Sequence, residues 1–291
     1  MRRYVSEMLL LIATTIWGLA FVWQSIASRE LGALTVVGVR SIIAAIFLSF
    51  VVICVPTIYR SQEPKIKLTR NRYQGFLLSF ICGLALFFAM YVQQVGLEHT
   101  TASKTGFISV LYICIVPLIT ICFGEKLNKF FLIGLIISLI GLYFLSIKGD
   151  FSLEYGDLVV LASAVLYAIH ILVVGYSAGR VNSMFLSIGQ LFVVSVLSLT
   201  TAYFSEHFNL SSILSVILPL LALGILSSGV GYTFQIVAQR DVPSHTASLI
   251  MSFESVVAAI GGVVILGEIL SIREMIGMVL VLGGILLSQK K

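Results

Sequence analysis

Hydrophobic positions in the chain come in runs of about twenty residues, separated by short stretches in which most of the charged residues collect. A helix rises about 1.5 Å per residue and a hydrocarbon core is about 30 Å thick, so each run has the length of a membrane crossing. Read in order, the runs predict ten helices, at approximately 5–25, 33–55, 73–95, 102–122, 130–147, 155–176, 184–203, 213–237, 246–266 and 273–289. The first run is long, is followed by further spans and precedes no A-x-A-like site, so it is read as helix one and not as a cleaved leader. The longest connection, Pro56 to Arg72, has about seventeen residues and leaves no room for an ATPase or kinase module.

Composition sharpens this picture. Of the 291 residues 59% are hydrophobic and 11% charged, against roughly 45–50% and about 25% in a soluble globular protein. The net charge of +5 does not point to nucleic acid, because a membrane protein gathers the same excess by keeping Lys and Arg in its cytoplasmic loops. Alternate connections carry thirteen basic residues, among them Arg2, Arg3, Arg60, Arg180, Arg240 and Lys290, and the opposite side has four, Arg29, Lys104, Lys148 and Arg273. That bias predicts both termini in the cytoplasm. Cys54, Cys82, Cys114 and Cys122 all lie in apolar runs without metal-site spacing and are read as small core residues, and no cofactor or metal is implied.

The two halves resemble each other. Gly124, Glu125, Gly134 and Gly141 fall on Gly267, Glu268, Gly277 and Gly284 at a constant offset of 143. Trp17 falls on Tyr167 and Arg40 on Gln190 at 150, and Gln93 on Gln235 at 142. A duplication of five spans forces the second copy upside down relative to the first. The expected architecture is therefore an all-α membrane protein of ten transmembrane helices in two inverted five-helix repeats, residues 1–147 and 148–291. Such pairs recur in secondary transporters, with the site near the midplane. Gly134, Ser138 and Gly141 lie on one stripe that allows close helix approach, and Gly277 and Gly284 repeat it, so the fifth and tenth helices are expected to be packing supports.

With this order of motifs the chain resembles the EamA-type branch of the drug/metabolite transporter superfamily. The resemblance rests on ATTIWGLAFV from Ala13, VGVRSIIAA around Arg40, VGLEHTTASKTGFISVLYICIVPLI from Val95, GDLVVLASAVLYA from Gly156, FQIVAQRDVPSHTASLIMSFES from Phe234, and the pair Gly267 and Glu268. It implies a similar fold and the movement of small organic solutes across the bacterial inner membrane, commonly outward and without ATP. Substrates in the family range over amino acids, nucleosides, cofactors and toxic organic cations. One departure is Ser255, where the family often has proline after the glutamate; the resemblance therefore does not extend to a proline break in the ninth helix.

A charge at a helix centre costs at least ~2.5–3.5 kcal/mol on insertion scales, so the few ionisable residues inside the spans are candidate functional groups. Glu254 is either a carboxylate that couples protons to transport or a permanent partner of Arg40 from the other repeat. Arg40 either meets a substrate carboxylate or snorkels to the outer surface. His170 is either a cavity group or a neutral core histidine. Four pairs three residues apart share a helix face, Tyr91 with Gln94, Ser109 with Tyr112, Tyr167 with His170 and Tyr232 with Gln235. Together they suit an apolar-walled cavity with a few hydrogen-bonding groups. Trp17, followed by Gly18, is read as a cavity or gate residue, and Trp23 as part of the outer aromatic belt.

The tempting enzyme signal is GYSAG at Gly175 to Gly179, but a nucleophile elbow needs a strand feeding a helix, and here a membrane helix feeds a turn. The expectation is a non-enzymatic carrier that exports a small metabolite, such as an amino acid or related amphipathic solute, by alternating access. An efflux carrier for organic cations is the alternative and a channel the remaining one. The expected partners are the small-molecule substrate, the lipid bilayer and, through Glu254, protons.

Overall fold

The computed structural model describes residues 2–62, 72–146, 154–206, 209–266, 271–288 and 290. The described chain is helical throughout, with no strand. Its elements are α1 (Arg2–Ala27), α2 (Ala33–Cys54), α3 (Pro56–Ser61), α4 (Arg72–Glu98), α5 (Ala102–Ser109), α6 (Tyr112–Cys122), α7 (Lys129–Ser146), α8 (Tyr155–Ser177), α9 (Ser183–Ser205), α10 (Leu210–Ser215), α11 (Ile217–Leu221), a π-helical stretch (Ala222–Gly231), α12 (Tyr232–Ala238), α13 (Ser244–Met251), α14 (Phe253–Leu266) and α15 (Ile272–Ser288). Among the described residues each apolar window of the sequence is mostly helix. Seven stretches among the described residues are long and apolar enough to cross a membrane: Arg3–Ala27, Ala33–Cys54, Tyr73–Glu98, Lys104–Cys122, Tyr155–Ser177, Ser183–Ser205 and Ile217–Ala238. The apolar part of α7, Lys129–Phe144, is shorter, α15 has 17 residues, and the window at 246–266 is interrupted. The outward faces carry large apolar side chains such as Phe50, Phe76, Phe123, Phe204 and Leu218. Such faces suit lipid and would not suit water.

Two helix breaks occupy equivalent places. The first is at Val110 and Leu111, between α5 and α6, and lies N-terminal to Pro117; the second is at Ser252, between α13 and α14. The second break forms without proline. The Ser252 Oγ donates to the Leu249 carbonyl at 2.7 Å and the Ser255 Oγ to the Ser252 carbonyl at 2.8 Å, so hydroxyls take up carbonyls at the turn.

Helix pairing brings distant parts of the chain together. α7 packs on α15, α4 on α8 and α9, α2 on α9 and the π-helical stretch, and α1 on α14, α12 and the π-helical stretch. The α7–α15 contact is made by glycine. A Cβ on Gly134 would stand 2.5 Å from the Gly284 carbonyl oxygen, and one on Gly141 would stand 2.7 Å from that of Gly277. Polar ties cross between the same partners. The Glu206 carboxylate caps α2 by accepting from the Leu34 and Thr35 backbone at 2.8 and 2.9 Å. Buried Asp157, at the start of α8, accepts from Thr100 Oγ1 at 2.6 Å and Lys104 Nζ at 3.2 Å.

The apolar interior forms several clusters. One is built around Leu10, Ile113, Ile171 and Leu249, and another around Leu86, Met90, Leu191 and Val194. Trp17 and Tyr167 pack against both, which sets them at the junction. The cysteines depart from expectation: Cys82 is buried, but Cys54 and Cys122 are exposed, because each stands at the C-terminal end of its helix. Gly267 and Glu268, Lys148 and the 147/148 repeat boundary lie outside the described residues.

Candidate functional site

At the junction of the two clusters is a cavity holding about 480 Å³ of empty space, the part open to solvent included. Its lining comes from α1, α2, α4, α5, α6, α8, the π-helical stretch, α12, α13 and α14. Nine of the eleven candidate residues line it: Trp17, Arg40, Ser109, Tyr112, Tyr167, His170, Tyr232, Gln235 and Glu254. Tyr91 and Gln94 are placed elsewhere. The Tyr91 ring stacks on Phe87, and Gln94 donates to Ser28 Oγ at 2.5 Å. Gln94 is one residue and Tyr91 two from Gln93, which does face the cavity; on a helix each step is about 100°, enough to change face.

Arg40 is 4% exposed and does not snorkel. Its Nε donates to Ser228 Oγ at 2.9 Å, its Nη2 to Ser227 Oγ at 2.8 Å and its Nη1 to Gln24 Oε1 at 3.1 Å. All three partners are neutral. Among the described residues no carboxylate lies within ion-pair distance of Arg40, and Glu254 likewise has no cation. The guanidinium has five N–H donors, so two remain after these bonds. The π-helical stretch makes the arrangement possible. Wider turns, with hydrogen bonds five residues apart, carry the consecutive Ser227 and Ser228 to one guanidinium.

Glu254, 6% exposed, occupies the first turn of α14 just past the Ser252 break. The buried Tyr112 hydroxyl lies near its carboxyl and has no hydrogen-bond partner among the described residues. Tyr167 and Tyr232 lie within electrostatic reach of both Arg40 and Glu254. The Tyr167 hydroxyl donates to Gln93 Oε1 at 3.0 Å, and Gln93 Nε2 donates to Ser109 Oγ at 2.8 Å. Trp17 tilts against Tyr232 at 5.2 Å between ring centres and donates through Nε1 to the Ser227 carbonyl at 3.0 Å. His170 meets Tyr232 edge-on and its Nε2 contacts Gln190 Oε1 at 3.2 Å, and its buried Nδ1 has no hydrogen-bond partner among the described residues.

The lining also keeps the offsets that relate the two halves. Trp17 and Tyr167, Ala20 and His170, and Phe21 and Ile171 are 150 apart; Gln93 and Gln235, Ser109 and Met251, and Tyr112 and Glu254 are 142 apart. Gln93 was recoverable from the sequence, since its alignment with Gln235 was already evident. Gln24 and Ser227 carried no such signal, because serine and glutamine in apolar helices read as ordinary interhelical glue.

A sequence model of the EamA-like transporter family matches the chain twice, over residues 5–147 and 154–289. The chain belongs to the EamA-like transporter family. It is 27% identical over 283 residues to an uncharacterized transporter of Archaeoglobus fulgidus, covering 97% of this chain and 84% of that protein. It is 23% identical to the uncharacterized transporter YoaV of Bacillus subtilis, covering 98% and 97%. A solved crystal structure only 17% identical shares the fold of this EamA-like chain, with a TM-score of 0.73 over 95% of this chain and 96% of that one. An EamA-like protein with seven stretches among its described residues suited to the bilayer is a multi-pass membrane transporter.

Proposed function

We propose that this EamA-like protein is a ten-span permease of the bacterial inner membrane, built as inverted repeats 1–147 and 148–291 with both termini cytoplasmic. Several observations support the repeat. The family match occurs twice, and the helix pairings map onto themselves when the halves are exchanged: α2–α9 and α7–α15 keep their places, while α4–α9 trades with the π-helical stretch and α2. The permease works by alternating access around the cavity and exports a small metabolite, an amino acid or related amphipathic solute. Trp17, Arg40, Ser109, Tyr112, Tyr167, His170, Tyr232, Gln235 and Glu254 contact the solute, with Tyr91 and Gln94 packed behind them. One observation carries this reading: the cavity holds a buried cation and a buried carboxylate that are not paired with each other. A zwitterion supplies an anion for the two remaining N–H groups of Arg40 and a cation for Glu254. Burying both charges without such a partner would cost several kcal/mol.

The test is uptake into liposomes carrying the purified protein, using the standard radiolabelled amino acids and tetraphenylphosphonium, with and without a pH gradient. Saturable uptake of an amino acid is expected. Saturable uptake of tetraphenylphosphonium alone would instead support efflux of organic cations, the reading favoured by a Glu254 that lacks a protein cation, and conductance without saturation would indicate a channel. Glu254→Gln, which fixes the uncharged form, is expected to fold normally and to lose gradient stimulation; unchanged pH-dependent uptake would sink proton coupling through this residue.

A further inference from the structure

The offset of 142 that relates Gln93 to Gln235 also brings out a difference between them. Both the nitrogen and the oxygen of the Gln93 amide have protein partners. The amide donates to Ser109 on α5 and accepts from Tyr167 on α8, at 2.8 and 3.0 Å, and so ties α4 to a neighbour in its own half and to one in the other half. The equivalents of these two partners are Met251 and Trp17. Neither completes the same arrangement around Gln235. A methionine thioether has no hydroxyl to offer, and the indole N–H of Trp17 is already committed to the Ser227 carbonyl at 3.0 Å. The Gln235 Nε2 instead turns along its own helix to Gln239 Oε1 at 3.1 Å. Gln239 is held in turn by the Ile171 carbonyl at 3.0 Å and Ser244 Oγ at 3.3 Å, which fixes Gln235 from behind. The Gln235 Oε1 accepts no hydrogen bond among the described residues, although Gln235 lines the cavity.

We propose that Gln93 is a positioning residue that holds the Tyr167 hydroxyl, while its repeat-related mate Gln235 keeps its side-chain oxygen for a donor group of the solute. This rests on the carrier reading above. A phenol has one proton to give and lone pairs to receive. With its proton committed to Gln93, Tyr167 presents only an acceptor, to Tyr232 beside it or to a solute. Tyr167 and Gln235 then select N–H or O–H groups, which an amino acid has and tetraphenylphosphonium lacks. Without Gln93 the hydroxyl is free to rotate and that selection is lost.

The experiment is a double-mutant cycle read as KM and maximal rate in the same liposomes, with the amino acids and tetraphenylphosphonium as probes. Gln93→Leu is expected to raise the amino-acid KM about tenfold, the scale of one well-made hydrogen bond, and by less than about twofold in the Tyr167→Phe background. Gln235→Leu is expected to multiply with Tyr167→Phe, because it acts on the solute directly. Gln93→Glu, which keeps an acceptor for the phenol, is expected to recover most of the affinity. Should Gln93→Leu not accumulate in the membrane, Gln93→Met, which keeps the length of the side chain and removes both amide bonds, enters the same cycle with the same expectation. Equal KM losses in both Tyr167 backgrounds would overturn the proposal while leaving the carrier intact. Absence of any saturable uptake by the unmodified protein would remove the carrier reading and this inference together.

Discussion

Arg40 concentrates the energetic problem of the site in one side chain. It is buried at 4% exposure on three neutral oxygens, Gln24 Oε1, Ser227 Oγ and Ser228 Oγ, and these satisfy its geometry without cancelling its charge. Lysine in its place would keep the charge but lose the planar fork that reaches three oxygens on two elements. Arg40→Lys is therefore expected to reduce uptake at least tenfold through KM, and Arg40→Gln to abolish it. Retention of wild-type KM by Arg40→Lys, measured in liposomes, would show that charge alone suffices. Much of this site was legible before folding, because a charged or aromatic residue inside an apolar run is conspicuous: Arg40, His170, Glu254 and Trp17 stand out in that way. Gln24 and Ser227 were not legible. Their relevance comes from a π-helical register and from the side chain they meet, and neither is encoded in local spacing.

Helices follow from the sequence because apolar length alone selects them, and breaks do not, because they depend on who supplies the missing hydrogen bonds. The break at Ser252 shows this: with no proline there, hydroxyls of Ser252 and Ser255 add to the long backbone bonds on the Leu249 and Ser252 carbonyls. The glycine stripe of α7 was legible as a packing surface, but its partner was not. Gly134 meets Gly284 and Gly141 meets Gly277, with carbonyls 2.5 and 2.7 Å from where a Cβ would be. A side chain there has to push the helices apart, an overpacking cost of about 1–3 kcal/mol. Gly284→Leu is expected to lower the melting temperature in detergent by several degrees while leaving the KM of the remaining folded carrier within about twofold. An unchanged melt would mean that α7 and α15 separate freely.

Across the whole molecule, the placement of basic residues predicts which end faces the cytoplasm, and two native thiols report on it. Cys54 and Cys122 are exposed at the C-terminal ends of α2 and α6, which the reading of both termini as cytoplasmic assigns to the inner side. A membrane-impermeant maleimide is expected to leave them unlabelled in intact cells and to label them in inside-out vesicles; labelling in intact cells would reverse the orientation. The all-helical membrane plan was legible as apolar runs and the cavity as polar pairs on shared helix faces, whereas its full lining was not, since Gln24, Gln93 and Ser227 reach it from three separate elements. The contact between α7 and α15 has a further consequence. Gly134 and Gly141 form one face, Gly277 and Gly284 the other, and each glycine meets the partner that is not its own equivalent. A face built that way also fits a copy of itself. Fragments ending at Ser146 and starting at Glu154, produced as separate polypeptides, are therefore expected to find one another and restore uptake, with pairing of like fragments as the competing product on a native gel. The peptide link between them would then serve chiefly to fix the stoichiometry at one to one.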